Sequence, residues 1–126
     1  MNCVLVDTSV WVAHFRQADP NLVALLTRDE VVLHPLVWGE LACGTPPHRA
    51  NTLKDLRSLR PAQQASLEET VDFAEREHLY GLGCGLIDMQ LLASTLLTPQ
   101  ASLWTLDRRL GQLAQRFGVC HEPARH

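Results

Sequence analysis

Four carboxylates stand beside apolar segments that are far apart in the chain: Asp7 after Asn2 to Val6, Glu40 within Leu36 to Leu41, Asp88 after Gly85-Leu86-Ile87, and Asp107 after Ser102 to Leu106. In an open α/β sheet, ligands sit outside the carboxyl ends of the parallel strands, so an acid directly following a strand faces the shared crevice. Asp7 and Asp107 both hold that position. Two unit charges about 4 Å apart at an effective dielectric of about 20 repel by about 4 kcal/mol, so several ionised carboxylates in one place require a cation. Without one, some of them must stay protonated, with raised pKa values. Ligation by carboxylate oxygens, with no His or Cys among them, selects a hard cation such as Mg²⁺ or Mn²⁺ over zinc. Ser9 and Thr105 lie two residues from Asp7 and Asp107, where their hydroxyls are placed to orient a carboxylate, a bound water or a phosphate oxygen.

Each acid also has an ordinary use. Asp7 and Asp107 are placed to cap the helices they precede, and Asp88 to sit as a first-turn charge favoured by the helix dipole. Ser9 and Thr105 are equally suited to local backbone capping. Glu40 lies between Trp38 and Leu41 on a short, otherwise apolar helix, where an unpaired buried carboxylate would be costly, and its alternative is exposure on the outer face.

The elements that must position these groups follow from periodicity and punctuation. Cys3 to Val6 is continuously apolar and reads as a buried strand, with a short helix over Thr8 to Arg16. Asp19-Pro20 supplies a cap and a first-turn proline for a second helix with Leu22, Val23, Leu25 and Leu26 as its apolar stripe. Val31 to Leu33 is a short strand, Leu36 to Cys43 a helix closed by Gly44, and Thr45-Pro46 opens the next helix. Ser66 and Glu69 match a capping box for a helix to about His78, with a weak strand signal over Ala65 to Leu67. Gly81, Gly83 and Gly85 lead into a helix whose apolar face carries Leu86, Ile87, Leu91, Ala93 and Leu97, ended by Pro99. Ser102 to Leu106 is a strand, a helix with Leu110, Leu113 and Phe117 on one side runs to Gly118, and Val119-Cys120 is a last short strand. Strands alternating with helices imply a parallel sheet covered on both faces.

At 126 residues, with 46% hydrophobic and 20% charged residues, the chain has the size and composition of one domain, expected over residues 1–121 with a loose tail over 122–126. The apolar stretch Cys3 to Val6 is too short for a membrane span or a signal sequence, so a cytoplasmic protein with no membrane partner is expected. Cys3, Cys43, Cys84 and Cys120 are widely spaced, which indicates reduced thiols rather than a zinc site or a disulfide framework. The net charge of −3 excludes a general nucleic-acid coat, and any action on nucleic acid must use local cations and metal.

Val6-Asp7-Thr8-Ser9-Val10-Trp11, Trp38-Gly39-Glu40-Leu41, Leu86-Ile87-Asp88 with Leu91-Leu92-Ala93, and Leu103 to Leu110 together resemble the PIN-domain ribonucleases, and most closely the VapC-type toxins of bacterial toxin–antitoxin pairs. The resemblance covers almost the whole chain in order, and is weakest over Pro46 to Tyr80. It implies a three-layer α/β/α sandwich with a central parallel sheet. It also implies that Asp7, Glu40, Asp88 and Asp107 are the catalytic and metal-binding quartet, with Ser9 and Thr105 as supporting polar groups. Gly85 stands where some relatives carry a polar side chain. A homodimer and a cognate antitoxin that occludes the site are implied as partners, with RNA as substrate.

The expected chemistry is Mg²⁺- or Mn²⁺-assisted hydrolysis of RNA phosphodiesters, leaving a 5′-phosphate and a 3′-hydroxyl. Asp7, Asp88 and Asp107 are expected to contact metal, and Glu40 either metal or the attacking water. Arg16, Arg49, Arg108 and Arg109 adjoin loops or helix starts close to the acids and are the candidate cations to grip RNA, with solvated surface as their alternative. His14 is read as a surface or interface residue. A phosphorylatable receiver module would need a lysine at the site, and the chain's only lysine is Lys54, far from the acids in sequence. An aspartate-nucleophile phosphatase would need a second aspartate two positions after Asp7, where Ser9 stands. The remaining rival is a catalytically silent PIN-like module that binds RNA or protein.

Overall fold

The computed structural model describes residues 2–123. Four strands, β1 (Cys3–Val6), β2 (Val31–Leu33), β3 (Arg60–Pro61) and β4 (Ala101–Trp104), form one all-parallel sheet in the order β3-β2-β1-β4. Every residue of β1 is buried although successive side chains point to opposite faces, so both faces of the sheet are covered. The helices are α1 (Thr8–Arg16), α2 (Pro20–Thr27), α3 (Pro35–Ala42), α4 (Arg49–Leu56), α5 (Leu67–Arg76), α6 (Leu86–Leu97) and α7 (Arg108–Arg116). Parallel crossovers are right-handed. The steps from β1 to β2 to β3 therefore lay their helices on one face, and the return from β3 to β4 uses the other. The contacts agree: α1 packs on α3 and α3 on α4, while α6 packs on α5, α7 and β4. The result is an α/β/α sandwich.

The chain leaves β1 toward β2 on one side, and β4 lies against β1 on the other. Strand order reverses at β1, which opens a crevice beyond the carboxyl ends of β1 and β4. Pairing of Val6 with Trp104 at the end of both strands brings Asp7 and Thr105 to that crevice together.

The core is aliphatic, with Leu5, Leu22, Val37, Leu91, Leu92, Leu103, Leu110 and Ala114 fully enclosed. Each large aliphatic side chain so buried contributes about 1.5–3 kcal/mol. Five consecutive residues of α6, Leu91 to Thr95, are buried, which fixes the helix that carries Asp88. Ser94 on that helix accepts a hydrogen bond from the Ala65 N–H at 3.0 Å and lies 3.1 Å from His34 Nε2. His34 Nδ1 accepts from the Leu36 N–H at 3.0 Å and so caps α3. One buried network thus ties the α3 start, the β3–α5 link and α6 together. Burial lowers the His34 pKa, which suits the neutral ring this geometry needs.

Several boundaries differ from the sequence reading. The third strand forms at Arg60–Pro61, not over Ala65 to Leu67, because Ala65 bonds to Ser94 while Ser66 caps α5 in a full capping box. Pro61 has no N–H to offer, and β3 is an edge strand where none is required. The helix after α3 starts at Arg49 and not at Thr45-Pro46. Pro47 follows Pro46 and disfavours helical geometry there, and His48 takes a left-handed φ of 49° before α4 begins. α3 runs from Pro35 to Ala42, one residue earlier than expected, and α5 stops at Arg76, ahead of His78 with its φ of 57°. β4 spans Ala101–Trp104, so Thr105 and Leu106 leave the sheet to serve the crevice. Val119-Cys120 supplies one bridge, Leu103 to Cys120, rather than a strand. Of the expected loose tail 122–126, Glu122 and Pro123 carry no regular secondary structure, and 124–126 lie outside the described residues. No helix among the described residues is long and apolar enough to cross a membrane.

Candidate functional site

Asp7 is 7% exposed at the carboxyl end of β1. Its Oδ2 accepts hydrogen bonds from Ser9 Oγ at 2.7 Å and Thr105 Oγ1 at 2.8 Å. Ser9 Oγ accepts from the Leu106 N–H at 3.0 Å, and Thr105 Oγ1 from the Asp107 N–H at 3.0 Å. Each hydroxyl therefore spends its single proton on Asp7 and is itself oriented by a backbone amide. Asp7 makes no side-chain cap to α1, so the capping explanation does not apply to it. Its Oδ1 has no hydrogen bond among the described residues, where no buried side-chain oxygen lacks a partner, so that atom opens to the crevice.

Asp107 does cap: its Oδ1 accepts from the Leu110 N–H at 2.9 Å at the start of α7. The bond orients the carboxylate and leaves the second oxygen for another use. Asp88 lies in the first turn of α6, half-buried, where a hydrogen bond to the Gly85 backbone favours its ionised form. Burial and the nearby charges of Asp7, Asp107 and Glu40 outweigh that bond and raise the Asp88 carboxyl above the ordinary carboxylate range. All four acids thus share one electrostatic neighbourhood. Glu40 is exposed near the end of α3, so the cost of burying it is not what marks it. Its Oε1 accepts from Thr8 Oγ1 at 2.7 Å, which ties α3 to the first turn of α1 beside Asp7.

Among the described residues, no three His, Cys, Asp or Glu side chains converge closely enough to enclose a metal ion. Mg²⁺ needs no such cage: it keeps several waters and takes one or two carboxylates together with substrate phosphates. The donor set of carboxylates and hydroxyls fits that mode and does not fit a structural zinc site. Cys84, the nearby thiol, is kept protonated by burial and by Asp88 and Asp107, and a protonated thiol is a poor ligand.

Arg109, in the first turn of α7, lies across the loop ahead of α6. A Cβ built on Gly83 would stand 2.5 Å from its Nη1, 2.8 Å from its Cδ and 2.9 Å from its Cζ. Arg49 instead donates to the Ala42 carbonyl at 2.6 Å and the Gly44 carbonyl at 3.3 Å, tying down the end of α3. Arg16 and Arg108 are exposed, at the end of α1 and the start of α7. His14 Nδ1 accepts from the Asp19 N–H at 3.0 Å and helps join α1 to α2.

Sequence reasoning missed three groups. Thr8 carried a signal, a hydroxyl beside Asp7 in the same helical turn. His34 carried another, a polar residue ahead of Pro35 in cap position. Gly83 carries only the signal of a flexible entry to a helix, and its contact with Arg109 is tertiary and leaves no local trace.

The chain matches the PIN domain family over residues 4–115. It is 42% identical over 116 residues to proteins named Ribonuclease VapC32 from two Mycobacterium tuberculosis strains, CDC 1551 / Oshkosh and ATCC 25618 / H37Rv. Each alignment covers 92% of this chain and 94% of the relative.

Proposed function

Because this chain belongs to the PIN-domain family, we propose that it is a divalent-metal-dependent endoribonuclease and the toxin of a VapC-type toxin–antitoxin pair. The observation that carries this reading is the Asp7 carboxylate, held by two hydroxyls with one oxygen open, beside an Asp88 carboxyl that feels all three other acids. Asp7 through Oδ1, Asp88, and Asp107 through its uncapped oxygen are the groups that would hold Mg²⁺ or Mn²⁺. Bound there, the cation would neutralise charge at the scissile phosphate and make the attacking water more acidic. Glu40, held by Thr8 beside Asp7, is suited to orient that water. Ser9 and Thr105 donate to one oxygen of Asp7 and fix the direction of its open oxygen. In-line attack by water would leave a 5′-phosphate and a 3′-hydroxyl. The proposed partners are RNA, a cognate antitoxin that covers the crevice, and a second copy of the chain.

The test is cleavage of bulk cellular RNA by the purified chain in Mg²⁺, Mn²⁺ or EDTA, beside Asp7→Asn, with product ends sequenced. Discrete cuts that need metal and disappear in Asp7→Asn support the proposal. Absence of cutting by metal-loaded chain free of antitoxin, with RNA still bound, identifies a silent binding module.

A further inference from the structure

Side chains on a helix lean toward its N-terminus. Arg109 is the second residue of α7, two positions after Asp107, so its guanidinium is carried back toward the crevice. There it occupies the place where any residue but glycine at position 83 would put its Cβ. Gly83 has a φ of 89°, a conformation that glycine tolerates and other residues rarely adopt. Sequence and backbone thus agree in leaving that space to the arginine. Cys84, the next residue, feels Asp88, Asp107 and Arg109 together, so the guanidinium lies within the field of the acids.

The described residues pair Arg28, Arg60, Arg76 and Arg116 with carboxylates, Arg49 with carbonyls and Arg57 with the Trp38 ring, whereas Arg16, Arg108 and Arg109 have no hydrogen bond or ion pair among them, and of these three only Arg109 is seated on Gly83. An arginine beside acids, yet paired with none of them, keeps its planar fork of donors for a ligand. Phosphate is the group that matches that fork with two parallel bonds. The chain has a net charge of −3 and no general basic surplus, so its hold on a polyanion must come from a few placed cations.

We propose that Arg109, seated on Gly83, is the phosphate clamp of the crevice, binding an RNA backbone phosphate next to the scissile one. Arg109 is then a positioning residue for substrate, and Gly83 is the seat that allows it. The proposal rests on the ribonuclease reading above.

Binding of bulk cellular RNA is measured against salt in an Asp7→Asn background, where cutting is off, and apparent KM and kcat are measured in the otherwise wild-type chain. Arg109→Ala is expected to weaken binding about tenfold and to raise KM by a similar factor with little change in kcat. It should flatten the salt slope by roughly 0.7 to 0.9, the value of one phosphate contact. Arg109→Lys keeps the charge and should keep the slope while losing affinity, since an ammonium cannot make the paired bonds. Gly83→Ala should act like Arg109→Ala on KM, and Arg109→Ala is exposed and tests the clamp even where Gly83→Ala impairs folding. An Arg109→Ala chain that binds and cuts like wild type, or loses kcat with KM unchanged, overturns the clamp and leaves the ribonuclease standing. A wild-type chain that neither binds nor cuts RNA overturns both.

Discussion

At the scale of single residues, Asp88 and Asp7 sit in different surroundings. Asp7 is satisfied by two hydroxyls, whereas burial and three neighbouring acids make ionisation of Asp88 costly. A carboxyl whose folded pKa is raised binds its proton longer in the folded state than in the unfolded one. Folding stability in metal-free protein therefore falls as pH rises from the unfolded pKa through the folded one. Asp88→Asn removes that penalty. Its melting temperature without metal should exceed wild type at neutral pH, with the gain shrinking as pH drops below the ordinary carboxylate range. Thermal melts across pH in EDTA check this, and an equal gain at every pH would contradict it. Asp7→Asn should cost at least about 100-fold in cleavage rate, because loss of one ligand forfeits several kcal/mol of transition-state stabilisation. Ser9→Ala and Thr105→Val leave the acids in place and should each lower activity or metal affinity about 10- to 100-fold. A titration of rate against Mg²⁺ separates the two effects.

At the scale of elements, the site depends on how α3 and α6 are held. His34 stays neutral to cap α3, and burial lowers its pKa, so the unfolded chain takes up a proton there that the folded chain resists. The stability this provides is complete above the ordinary imidazole range and is lost as pH falls through and below it. Acid denaturation followed by circular dichroism should show this loss, and His34→Asn, which keeps a cap acceptor without the titration, should flatten it. Ser94→Ala leaves the Ala65 N–H without its buried partner and should cost about 1–3 kcal/mol in denaturant melts. The elements themselves were legible where local chemistry decides them: the Asp19 cap with Pro20, the Ser66–Glu69 capping box and the Gly118 stop all appear as the sequence implied. β3 was not legible, because two residues of an edge strand are chosen by pairing with β2 and not by their own pattern. Asp7, Asp88 and Asp107 were legible as candidates from their places at strand ends and helix starts, while Glu40, near the end of α3, does not have the burial that would mark it. Thr8 and Gly83 act across tertiary distances that no local periodicity records.

At the scale of the whole molecule, the proposed cation binding would be linked to folding. A ligand that binds the folded chain alone stabilises it by about 2.7 kcal/mol at 100 times its dissociation constant. Mg²⁺ should therefore raise the melting temperature of wild type, and the rise should be strongly reduced in Asp7→Asn and in Asp88→Asn. Calorimetric scans against Mg²⁺, with Na⁺ raised to matched ionic strength, decide whether the effect is specific. A rise that survives both substitutions would place the cation elsewhere.

The pairing of β1 with β4 also sets a timetable. Thr105 and Asp7, bonded in the crevice, are 98 positions apart in the chain. At about 5–20 residues per second, a ribosome takes roughly 5–20 s to travel that interval. Until then β1 has only β2 beside it, Asp7 lacks one of its two hydroxyl donors, and Asp107 does not yet exist. A nascent or truncated chain that stops short of β4 carries three of the four acids and no assembled crevice. On the proposed function, the chain is thus born inert, and an antitoxin made alongside it would have nearly the whole of synthesis in which to arrive.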